Sequence, residues 1–105
     1  MFMFDADFNE VYENDFDSNE IGIEVYNSNN NLIYHNNFYN SIFYHATANG
    51  GSNLWDIGYP YPPNGGNHWD DWTSPDVNAD GVVDNPYNIS TGNVDNYPLV
   101  NPYLW

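Results

Sequence analysis

The chain has 105 residues, 15 of them Asp or Glu, no Lys or Arg, and a formal charge of −15. With no cation to set against phosphate, nucleic acid and anionic membrane surfaces are excluded as partners. There is no Cys, hence no disulfide or thiol chemistry, and no apolar run long enough to insert in a membrane as a helix.

The amino-terminal stretch Met1-Phe2-Met3-Phe4-Asp5 lacks the cationic start of a secretion signal. A leader already removed, or membership of a longer chain, are the two expectations. Aromatic residues make up 19% of the chain, which argues for a packed domain despite the charge.

Shifting the sequence by 22 residues superposes like on like. Asn9, Asn31 and Asn53 align, as do Val11, Ile33 and Trp55, Tyr12 and Tyr34, Asn14 and Asn36, and Phe16 and Phe38. Ile21 falls on Phe43, Asn27 on Asn49, and Met3-Phe4 on Val25-Tyr26. Within a repeat, apolar residues alternate over short runs, as in Ile21-Gly22-Ile23-Glu24-Val25, which is the pattern of a half-buried strand. Short strands joined by Asn-rich bends at a fixed period predict an all-β fold, a short parallel β-helix of about two coils over residues 1–57. Asn tolerates the left-handed backbone of tight bends, and stacked Asn can form amide ladders, which accounts for much of the 20 Asn.

From Gly58 onward the alternation stops, and Pro, Gly, Asn and aromatics dominate. Residues 58–105 are expected to form an irregular cap held by aromatic packing and calcium. Tyr59, Tyr61, Trp69 and Trp72 are a candidate platform for stacking on sugar rings, though packing within the cap competes with that role. In Asp76-Val77-Asn78-Ala79-Asp80-Gly81-Val82-Val83-Asp84, oxygen donors alternate and Gly follows the third. That is the opening of a calcium loop, with Asp76, Asn78, Asp80, the Val82 carbonyl and Asp84 as ligands and Asp71 as a further one. The competing reading is an acidic turn loop with no ion. Asn88-Ile89-Ser90 is an N-glycosylation sequon at Asn88.

Asn53-Leu54-Trp55-Asp56-Ile57-Gly58-Tyr59-Pro60, Gly65-Gly66-Asn67-His68-Trp69-Asp70-Asp71-Trp72, the acidic loop running on through Asn85-Pro86-Tyr87, and Asn93-Val94-Asp95-Asn96-Tyr97-Pro98-Leu99 together resemble a known group. They resemble the tails of NosD-like right-handed parallel β-helix repeat proteins of the carbohydrate-binding and sugar-hydrolysis type, common on the surfaces of methanogenic archaea. Asn31-Leu32-Ile33-Tyr34-His35-Asn36-Asn37-Phe38 is similar to their repeat. The chain departs from the pattern at His68 and Asp70, in its few coils and in its lack of Lys and Arg. The resemblance implies an extracellular or cell-surface protein, and its name carries a copper association. His35, His45 and His68 are the only imidazoles, expected exposed on turns, with His35 and His45 not expected to meet.

Catalysis is not expected. A lyase on such a fold needs a cationic base, and the one adjacent carboxylate pair, Asp70-Asp71, is expected to point apart. The expected role is therefore non-enzymatic: a calcium-binding structural unit assembling end to end with copies of itself in a filament, sheath or cell envelope. The alternative is a carbohydrate-binding or carbohydrate-processing domain.

Overall fold

The computed structural model describes residues 1–105 and contains strands, turns and bends but no helix. In chain order the strands are β1 (Phe2–Phe4), β2 (Glu10–Tyr12), β3 (Asp15–Asp17), β4 (Ile21–Tyr26), β5 (Leu32–Tyr34), β6 (Asn37–Tyr39), β7 (Tyr44–Asn49), β8 (His68–Trp69), β9 (Tyr87–Ser90) and β10 (Asn93–Asp95). They form three parallel sheets that do not close on themselves, ordered β1-β4-β7, β2-β5 and β3-β6-β8, plus the antiparallel pair β9-β10. Leu54 extends the β2-β5 sheet by a single parallel bridge to Leu32.

The 22-residue alignment is the hydrogen-bonding register of the first two repeats. Met3 lies beside Val25, Val11 beside Ile33 and Phe16 beside Phe38. Each short strand turns one apolar residue inward and two neighbours outward, so burial follows the two-residue period of the backbone. The inward residues stack into rows: Met3, Val25 and Ala48 along one sheet, Val11, Ile33 and Trp55 along the next, and Phe16, Phe38 and Trp69 along the third. The third row is a column of nearly parallel rings. Centroids are 4.9 Å apart from Phe16 to Phe38, 4.4 Å from Phe38 to Trp69 and 4.1 Å from Trp69 to Tyr87.

The expected alignment fails at one place. β7 pairs with β4 as Ile21 with Tyr44 and Tyr26 with Asn49, one residue later than a strict 22-residue shift. The extra residue falls in the Ser41–Phe43 segment, before the strand begins. The bends recur with the repeat as well. Left-handed backbone occurs at Asp5 and Asn27, Phe8 and Asn30, Glu13 and His35, and Ser18 and Asn40. Asn occupies only some of these corners, and the recurring Asn of the alignment stand immediately after two of them.

Those recurring Asn are the internal frame. In one ladder the side-chain amide of Asn9 donates to Asn31 Oδ1, Asn31 to Asn53 and Asn53 to Asn93. In the other, Asn14 donates to Asn36 and Asn36 to Asn67, and Asn67 reaches Asp95 Oδ2. At every rung the backbone N–H donates to the same oxygen as the side chain, for example Asn31 N to Asn53 Oδ1 at 3.1 Å. The inner rungs are fully buried, and no buried side-chain nitrogen or oxygen lacks a partner. That completeness matters, because an unmet buried amide costs about 1–3 kcal/mol.

The expected end of regular structure near Trp55 needs correction. The chain leaves in a loop from Asp56 to Gly65, whose neck is closed by Ile57 N to Gly65 O and Gly65 N to Gly58 O. It then returns as β8 to lie beside β6. Beyond it, β10 crosses under both ladders and supplies the last member of each, Asn93 and Asp95.

Candidate functional site

The acidic loop folds tightly on itself. Asp76 accepts from the N–H groups of Asp80 (3.2 Å) and Gly81 (3.0 Å). Asp80 Oδ1 accepts from Val82 N, and its Oδ2 accepts from the Tyr59 hydroxyl and the Asn78 amide. Asp84 accepts from Val77 N. The bond from Val82 N, first among its causes, holds the Asp80 carboxyl below its ordinary range. Oxygens expected to converge on an ion also accept from the loop's own donors, in the manner of Asx turns. Val82 and Val83 anchor the loop by pairing with Leu99 and Pro98.

The proposed sugar platform is not one surface. Trp69 is wholly buried in the ring column, and Trp72 stands edge-on to Tyr87 with its Nε1 donating to Asn85 O. Tyr61 lies over the α-carbons of Gly65 and Gly81, and Tyr59 is exposed. Asn88 of the sequon is exposed on β9.

The three histidines, expected on exposed turns, are all buried. His35 Nε2 donates to Asn64 O, and its ring stacks on Tyr103 at 3.9 Å. His68 Nδ1 donates to Leu99 O, and burial pushes its pKa below the usual imidazole value. Both are occupied by backbone and serve the cap.

His45 differs. It is the second residue of β7, and its Nδ1 faces Ser41 Oγ at 2.8 Å, from the segment that carries the extra residue. Its Nε2 lies 2.7 Å from Asp70 Oδ1 and 3.2 Å from Asp71 Oδ1. Asp70 Oδ2 accepts from Asn40 N. The expectation that Asp70 and Asp71 point apart is overturned by the turn that ends β8. Trp72 N bonds back to Trp69 O, which brings both consecutive carboxylates to the same side. These three side chains are the one group of three His, Asp or Glu residues whose donor atoms lie within 4.8 Å of one another. Sequence reasoning missed it because the three residues share no spacing motif; only the pairing of β8 beside β6 brings residue 70 to residue 45.

A second ionisable group is buried without a countercharge. Asp95 is fully buried, and the chain has no Lys or Arg. Its Oδ2 accepts from Asn67 N (2.8 Å) and Trp69 Nε1 (2.9 Å), and its Oδ1 accepts from Tyr97 N (3.1 Å). Burial outweighs these bonds and pushes the carboxyl up to about 7.

Among known families, the profile described as "Periplasmic copper-binding protein (NosD)" matches residues 1–94, and the chain belongs to that family. No curated protein and no solved structure matches it. The family's periplasmic description agrees with the expected place outside the cytoplasm, and no helix is long and apolar enough to cross a membrane. It corrects the cofactor: the family is named for copper and not for calcium. The donors at His45, Asp70 and Asp71, one imidazole and two carboxylates, fit copper(II), which favours nitrogen and oxygen in tetragonal geometry. They do not fit copper(I), which prefers sulfur, because the only two Met lie elsewhere, Met3 in the core and Met1 at the exposed terminus.

Proposed function

We propose that this member of the NosD family is a non-catalytic, extracytoplasmic scaffold, the closing segment of a right-handed parallel β-helix. Residues 1–57 form its coils, with His68–Trp69 completing the last of them. The remainder of residues 58–105 is the cap. The observation that carries this reading is the polarity of the two amide ladders. Every rung donates toward the cap, so the final members need only accept. Asp95 accepts from Asn67 N, Trp69 Nε1 and Tyr97 N and has no side-chain amide to pass onward. The Asn93 amide is absorbed by Gly51 O, Ser90 Oγ and Thr91 O.

At the opposite end the frame is open. β1, β2 and β3 each have one free edge. Asn9 Oδ1 and Asn14 Oδ1 stand where the next donors would come in, and Phe2, Phe4, Phe8 and Tyr12 are exposed beside them. Such an end fits a further coil of the same repeat, arriving with its own amide donors and parallel strands. At the capped end β9 packs across β7 and Leu99 pairs with His68 of β8, so that end is obstructed although β7 has no second partner strand. Assembly in this reading therefore runs through the open end alone, in place of an endless filament. Catalysis has no support here, since the one carboxylate with a strongly raised pKa is sealed from solvent.

The test is to fuse a duplicate of residues 1–22 ahead of Met1, which keeps the register. The thermal midpoint rises for that chain, and the rise shrinks when the two duplicated ladder Asn are replaced by Ala. An unchanged midpoint, or a disordered duplicate by amide exchange, refutes the reading.

A further inference from the structure

We propose that His45, Asp70 and Asp71 are the ligands of a single copper(II) ion. The family's description names a metal, but nothing in it assigns residues. The proposal is independent of the scaffold reading, which stands or falls on the open end.

The argument begins with spacing. Nitrogen and oxygen donors bind such ions at about 2.0–2.2 Å, so neighbouring donors at right angles lie roughly 2.8–3.1 Å apart. His45 Nε2 is already 2.7 Å from Asp70 Oδ1 and 3.2 Å from Asp71 Oδ1. An ion can take its place between them with little movement of the backbone. The imidazole is also aimed. It is buried to within 6% of full enclosure, and it is wedged beside Phe38 and Trp69. With the ion on Nε2, the ring proton sits on Nδ1 and donates to Ser41 Oγ, the kind of outer partner that fixes a ligating histidine. Asn40 N does the same for the far oxygen of Asp70.

Charge points the same way. Two carboxylates sit here in a chain of formal charge −15 that has no Lys or Arg to neutralise them, and a divalent ion does so. Access is provided because the Asp70 and Asp71 side chains are 32% and 61% exposed, leaving room for water or a further ligand at the open positions. Among divalent first-row ions, a mixed nitrogen and oxygen site binds copper(II) most tightly.

The test titrates the metal-free full chain with copper(II), with zinc(II) and calcium(II) as parallel arms. One copper(II) ion binds, with an electron paramagnetic resonance spectrum of axial form coupled to a single nitrogen. Copper(II) quenches tryptophan fluorescence, because the Trp69 ring centre is 6.2 Å from that of His45, and zinc(II) binds without quenching. Zinc(II) binds more weakly than copper(II), and calcium(II) does not compete. His45→Gln removes the nitrogen coupling. Asp71→Asn, at an exposed position that leaves folding intact, weakens copper(II) on the order of tenfold or more. Unchanged affinity in Asp71→Asn, coupling to no nitrogen or to several, or displacement of copper(II) by calcium(II) overturns the assignment.

Discussion

Raising the pH should strain this fold at one buried carboxyl. Asp95 ends the second amide ladder, and burial pushes it up to about 7 from an ordinary 3.8. A carboxyl whose folded value is raised binds its proton more tightly when folded. It therefore adds stability below its unfolded pKa, and that addition is lost as pH rises through the folded value. A shift of about three units at 1.36 kcal/mol each amounts to about 4 kcal/mol, present near pH 4 and gone above about pH 8. Other groups titrate in the same window. His68, lowered mainly by burial, works in the opposite sense, contributing stability above its unfolded value of 6.5 that is lost as pH falls. The comparison with Asp95→Asn removes such common terms. The variant cannot titrate there, and it turns an amide NH2 toward N–H donors that need an acceptor, costing about 1–3 kcal/mol at all pH values. Urea unfolding of both proteins at half-unit steps from pH 4 to 8.5 gives the difference curve. We expect the wild-type advantage to fall by about 4 kcal/mol across that range. A flat difference means that Asp95 is not desolvated as described. A difference that grows with pH means that its N–H donors win over burial, and the reasoning fails.

Asn36→Leu keeps the branched shape but removes the acceptor of Asn14 N and Nδ2 and the side-chain donor to Asn67 Oδ1, which retains the backbone N–H of position 36; a loss of about 2–4 kcal/mol in chemical denaturation is expected. Gly66→Ala places a methyl 1.8 Å from Asp95 Oδ1, and that carboxylate is held by bonds on both oxygens. The variant should lose a large share of its stability, read as a fall in thermal midpoint, with Asp95 displaced. Trp69→Ala removes the centre of the ring column and the donor to Asp95, for an expected cost of about 3–5 kcal/mol by the same denaturation assay. Trp72→Ala, by contrast, removes an indole at the rim of the column and should cost clearly less than Trp69→Ala.

The repeat was legible because its cause is local. A strand alternates faces every residue, so Met3, Val11 and Phe16 and their counterparts 22 positions later announce which side is inward before any partner is known. The recurring Asn were legible for a related reason: one amide can satisfy the next only if both stand at the same place in successive repeats. What the spacing could not reveal was where each ladder stops. The final steps join Asn53 to Asn93 and Asn67 to Asp95, across intervening loops that hold no period.

The site was lost in the sequence for the same kind of reason. The alternating oxygens between residues 76 and 84 look like a ligand set because their spacing is regular, and in the folded loop the same oxygens accept from its own N–H groups. His45, Asp70 and Asp71 have no spacing to notice, and adjacent carboxylates in an extended chain would diverge. The sequence by itself determined the short strands of the first two repeats, their inward residues, their 22-residue register and the character of the charge, because each follows from short-range backbone geometry and composition. Only the tertiary structure decided that β8 returns beside β6, that β10 closes both ladders, and that a turn after Trp69 carries two carboxylates to a buried imidazole. Those contacts join distant segments through loops of irregular length, and their geometry is set by packing that no local pattern encodes.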